Sequence, residues 1–164
     1  MKIRFYILSF IIGAIVPTMC IVKNIEFSQN CSGYLKQTAD AITVESALER
    51  ITMAIDYLDA HNLTSGYTSV IYKTEDDNIG FWYNNLRNCK SELEDALDGS
   101  QLEKTNTLMN VREALTDEGE KGTVFTIPDG IWKYPHNKIL AFLNTISVIL
   151  MCSILIPIGK FLYD

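Results

Sequence analysis

The chain has 164 residues, 48% of them hydrophobic, and a formal net charge of −6, a size that suits one domain. The charge is unevenly spread: residues 24–137 hold nine Lys/Arg and nineteen Asp/Glu, net −10, whereas the flanks are net +4. An acidic middle repels phosphate, so no nucleic-acid partner is expected.

Residues 5–22, FYILSFIIGAIVPTMCIV, carry no charge. As a helix they extend ~27 Å, about one hydrocarbon core. Lys2 and Arg4 precede the run as in a signal peptide, but it ends PTMCIVK without a small-x-small cleavage pattern. The reading is an uncleaved N-terminal anchor over residues 1–23.

From Ser32 the pattern becomes amphipathic. Tyr34, Ala41, Val44, Leu48, Ile51, Ile55 and Leu58 recur mostly at steps of three and four, with charged residues between them. This predicts one helix over about 32–61 with a heptad-like seam. A second helix is predicted over about 75–98, with Thr74 and Asp77 as an imperfect capping box and Ile79, Trp82, Leu86, Cys89 and Leu93 as its stripe. Ser100 and Glu103 form an S-x-x-E box for a third, over about 101–117, lined by Leu102, Leu108, Val111 and Leu115. Three apolar stripes need mutual burial, which implies an antiparallel helical bundle over residues 24–118.

Residues 119–137 break the pattern. Val124 to Ile127 favour extended chain, and Pro128-Asp129-Gly130 signals a turn. Trp132 and Tyr134 are placed as membrane-interface anchors, because amphipathic rings favour the headgroup level. Residues 139–159 are again free of charge and would span ~31 Å, so residues 138–164 read as a C-terminal transmembrane helix with a short tail. Asn144 within it is a candidate intramembrane polar contact with another helix. The fold class expected is all-α: two transmembrane helices flanking a small extracytoplasmic bundle. Both termini are expected in the cytoplasm, at a plasma or bacterial inner membrane, with residues 24–137 outside.

Candidate sites are few. The stretch TSGYTSVIYKTEDDNIGFWYNNL, residues 64–86, sets aromatics around three consecutive acids. Tyr67, Tyr72, Asp76, Asp77, Phe81, Trp82 and Tyr83 are the candidate binding residues, placed at the distal tip of a helical hairpin. Aromatic faces attract cations, and acids neutralise them. The plainer use of the same residues is structural: Asp76 and Asp77 cap a helix, Trp82 fills a seam, and the tyrosines pack a bend. Calcium fits poorly, because a loop starting at Asp76 puts Arg87 where a bidentate Glu is required. His61 and His136 lie far apart and no Cys-x-x-Cys occurs, so no metal or cofactor is expected. No catalytic motif is present and no catalytic residue is assigned. Cys31 and Cys89 would sit in an oxidising compartment, where a disulfide is permitted. A regular hairpin turning near residue 68 would hold them too far apart for one.

The order of span, extracytoplasmic helices and span is similar in layout to the sensing half of bacterial chemoreceptors. The strings SGYLKQTADA (32–41) and SGYTSVIYKTEDDNIGFWYNNL (65–86) resemble a group of uncharacterised bacterial two-span, membrane-anchored helical proteins. In that group a Pro often follows the Thr where this chain has Glu75. The resemblance implies the architecture and no activity. The expected work is non-enzymatic binding as a scaffold subunit, with the lipid bilayer and another membrane protein or a second copy as partners. Alternatives are a small-ligand sensor coupled through the second membrane helix, and an enzyme of unrecognised type.

Overall fold

A computed structural model describes residues 2–119 and 122–152. Most of the chain is helical, with one small two-stranded sheet. The first helix, α1, runs Lys2–Phe27. It passes without a break through a π-helical turn, Ser28–Ser32, into α2, Gly33–Ala39. Such a turn widens the helix by one residue. Here Gly33 N–H bonds back to the Ser28 carbonyl, and a Cβ on Gly33 would meet that oxygen at 3.1 Å. The wide turn brings Phe27, Cys31 and Leu35 onto one buried face.

The single helix expected over 32–61 is two. The chain turns at Asp40–Thr43 and returns as α3, Val44–Ala60. Thr43 is extended and its hydroxyl accepts from Ser46 N–H at 3.2 Å, which caps α3. The C-terminal end of α3 meets the end of α1: Tyr57 packs edge-on to Phe27 at 6.0 Å, and His61 lies 3.9 Å from Glu26. After a loop, α4, Ile79–Asp95, starts beside the end of α3, where Tyr83 Oη donates to Asp59 at 2.5 Å. Its cap is Asn78, whose side chain accepts from Phe81 N–H at 3.1 Å; Thr74 caps nothing, and the helix starts later than 75. The fourth bundle helix, α5, Gln101–Leu115, opens on the expected Ser100–Glu103 box, with both reciprocal bonds made.

These helices close a ring. α2 packs on α3 and α5, and α4 packs on the same two. The result is an up-and-down four-helix bundle. Lys104 to Glu45 at 3.4 Å and Arg112 to Asp40 at 3.9 Å tie α5 to the far end. Exposed pairs like these contribute ~0–1 kcal/mol, so apolar burial decides the fold. Leu35, Ile51, Leu58, Ile79, Leu86 and Leu93 are fully buried, worth about 1.5–3 kcal/mol each. Ala47 and Ala54 are also fully buried. Small residues at these positions let neighbouring helices approach closely. Leu102, expected to line α5, is exposed, and Val111 and Leu115 carry that helix's buried face.

Helix α5 stops at Leu115, two residues short of the expected end, because Thr116–Gly119 becomes strand β1. It pairs antiparallel with β2, Gly122–Phe125, with Thr116 opposite Phe125. Residues 122–137 comprise strand β2, the buried Pro128 and Ile131, and a 3-10 turn at Ile131–Lys133. The last helix, α6, Asn137–Cys152, leaves the bundle beside α1. Gly13 of α1 and Ser147 of α6 are both buried. Small residues at such a contact allow close approach between helices. Residues 153–164, over which the expected second span continues, lie outside the described residues.

Among the described residues, one helix, Phe10–Ala39, is long and apolar enough to cross a membrane. The described part of α6 is a shorter apolar helix.

Candidate functional site

The turn at residues 40–43 reverses the vertical placement of everything after it. With α3 running back down, residues 61–78 lie at the base of the bundle, where α1 and α6 emerge. The aromatic-acidic stretch expected at the distal tip is at the opposite end. The distal turn is Asp40–Thr43, and it borders a shallow depression lined by residues such as Lys36, Ile42 and Arg50.

The base loop is built by local chemistry. Asn62 takes a left-handed conformation at φ 55°, and Leu63 N–H bonds to the Leu58 carbonyl at 2.8 Å, which ends α3 and buries Leu63. Gly66 sits at φ 111°, and a Cβ there would collide with the Tyr134 ring. Only glycine suits both the backbone and the contact. Tyr67 then pairs with Asn78 across the loop. Ile79 N–H donates to the Gly66 carbonyl and Thr68 N–H to the Asp77 carbonyl, each at 3.0 Å.

Asp77 staples this loop. Its carboxylate accepts from Thr74 Oγ1 at 2.6 Å and from Thr68 Oγ1 at 3.1 Å. The Thr74 hydroxyl first, and then Thr68, hold its pKa below the ordinary carboxylate value. A second clamp comes from α6. Asn137, 5% exposed, donates through Nδ2 to the Thr68 carbonyl at 2.7 Å, with the Tyr67 and Ser69 carbonyls at 3.4 and 3.3 Å. This residue was not singled out from sequence; an Asn opening an apolar run was the available signal.

The candidate binding residues separate into three groups. Trp82 and Tyr83 are buried in the bundle core and leave the patch. Asp77 and the half-buried Tyr67 hold the loop, with Lys73 Nζ 4.7 Å from the Tyr67 ring centre. Tyr72, Asp76 and Phe81 are exposed. Two residues that sequence reasoning passed over, Val70 and Ile71, are exposed beside Tyr72. Of the interface-anchor candidates, Tyr134 meets the same loop by packing on Gly66, and Trp132 lies beneath Lys133 Nζ at 4.8 Å.

Cys31 and Cys89 are free thiols, both buried in the core. Burial pushes the Cys89 thiol up to about 11. Among the described residues, no group of three His, Cys, Asp or Glu side chains could hold a metal ion. Asn144 is exposed on α6, with no hydrogen-bond partner for its amide among the described residues.

Fold and loop define a mostly helical protein, a four-helix bundle continuous with an apolar N-terminal helix. Comparison with protein-family models, with curated proteins and with solved structures finds no match.

Proposed function

We propose that this chain is a membrane-anchored, non-enzymatic scaffold subunit that presents its acidic helical bundle outside the cytoplasm and binds a partner within the bilayer. One observation carries the reading. α1 and α6 pack together yet leave large apolar side chains facing outward, among them Phe10, Ile15, Met19 and Ile21 on α1 and Phe142 and Ile149 on α6. Proteins surrounded by water seldom expose so extended an apolar surface. Lipid on both helices removes that cost, with α6 continuing as the second span and both termini cytoplasmic. Asn144 lies on this apolar surface, where an unpaired amide is costly and an interhelical hydrogen bond is worth about 0.6–2 kcal/mol. The partner is thus a transmembrane helix of another protein or of a second copy.

The test is a photo-crosslinking residue at position 144 in intact membranes, followed by purification in mild detergent. A discrete crosslinked species, lost when the crosslinker is moved to exposed Gln37, supports the proposal. Recovery of the protein in the aqueous fraction without surfactant refutes it.

A sensor is the second reading, favoured by the Asn137 clamp. That side chain joins the first turn of α6 to the 67–69 backbone, so movement of the loop would pull on the membrane helix.

A further inference from the structure

Resting on the membrane reading above, we propose that the Val70-Ile71-Tyr72 tip dips into the bilayer interface beside α6, forming a third, non-spanning point of attachment. Ile71 is 81% exposed and Tyr72 79%, and Val70 is exposed beside them. Three consecutive apolar side chains held in water have no folding rationale, because none contributes to the core. The loop is not free to fold them inward. Asp77 pins it on one side through Thr68 and Thr74, and Asn137 holds the three carbonyls just before the tip.

The clamp also fixes depth. Asn137 is the first residue of α6, and the next apolar residue, Ile139, is exposed on the surface assigned to lipid. The tip is therefore continuous with that surface and sits at its bundle end. Its flanks carry the chemistry of a headgroup layer. Lys73 over Tyr67 and Lys133 over Trp132 each pair a cation with an amphipathic ring. Lysines in such places keep an apolar stem in contact with lipid and the ammonium in water. The occupant this pattern fits is a phospholipid surface. A protein partner is the competing occupant.

The experiment uses the full chain reconstituted in phosphatidylcholine vesicles brominated on the acyl chain near the headgroup. A Trp132→Phe background leaves Trp82 buried in the bundle, and a new tryptophan is added by Ile71→Trp, Phe142→Trp or Ile42→Trp. Bromine quenches only tryptophans in contact with lipid. The proposal expects the added emission of Ile71→Trp and of Phe142→Trp to be largely lost and that of Ile42→Trp, at the distal turn, to be retained. Quenching of Phe142→Trp with retention at Ile71→Trp overturns the loop proposal and leaves the membrane reading standing; water or protein would then cover the tip. Retention in all three overturns both. Quenching of Ile42→Trp as well overturns the loop proposal, since the whole bundle would then lie against lipid.

Discussion

Replacing Asn137 with Ala isolates the contact between the base loop and α6. The amide makes one short bond, 2.7 Å to the Thr68 carbonyl, and two long ones at 3.3 and 3.4 Å, from a side chain that is 5% exposed. Losing the donor leaves buried carbonyls without a partner, which costs ~1–3 kcal/mol. Ala is also a better helix former than Asn, which returns up to ~0.7 kcal/mol at the first turn of α6. Loss of the clamp therefore wins, with a net cost of about 1–2 kcal/mol. The loss is local, so it belongs in the opening equilibrium of the loop and not in the bundle. Hydrogen exchange of the Thr68, Asn78 and Ile79 amides, all donors inside the loop, should accelerate roughly 5- to 30-fold, since 1.4 kcal/mol is a factor of ten. Amides in the middle of α3 should keep their protection. Unchanged loop exchange, or an equal loss across α3, would refute the idea that one side chain couples loop to helix.

Three further outcomes follow from the same geometry. Trp82→Ala should destabilise the bundle by ~3–5 kcal/mol in urea unfolding, whereas Phe81→Ala, on the exposed side of the same helix, should stay within ~0.5 kcal/mol. Asp77 has a lowered pKa in the folded protein, so its contribution is present above the unfolded value, ~3.9, and is lost as pH falls through the lower folded one. The protection of the loop amides relative to their intrinsic exchange rates should fall over that acidic window, and Asp77→Asn should abolish the pH step. Cys31 and Cys89 should resist maleimide in the native protein and react only on unfolding, with gel mobility the same with and without reductant; protection by oxidation in place of burial would show as a reductant-dependent shift.

Much of this molecule was legible from local pattern. The α4 stripe, the Ser100–Glu103 cap and the apolar N-terminal helix each rest on neighbours within a few residues, where helical periodicity and capping chemistry act directly. The turn at 40–43 was hidden because Ala41 and Val44 continue the three-four spacing across it by coincidence. Periodicity reports which residues are apolar and is silent on whether the backbone between them stays helical. The signal that could have revealed the turn was Thr43, a good capping residue set before Val44 and Glu45. Missing it placed the aromatic stretch at the wrong end of the bundle.

The sequence by itself determined that helices form, which residues seek burial, and that the charge lies between two apolar runs, because these depend on side-chain type and short-range spacing. Tertiary structure alone decided which end of the bundle each loop occupies, that Tyr83 faces inward while Ile71 and Tyr72 face out, and that Asn137 reaches back some seventy residues to hold the loop. Those outcomes depend on how many times the chain reverses and on contacts between distant segments, and no local pattern encodes either.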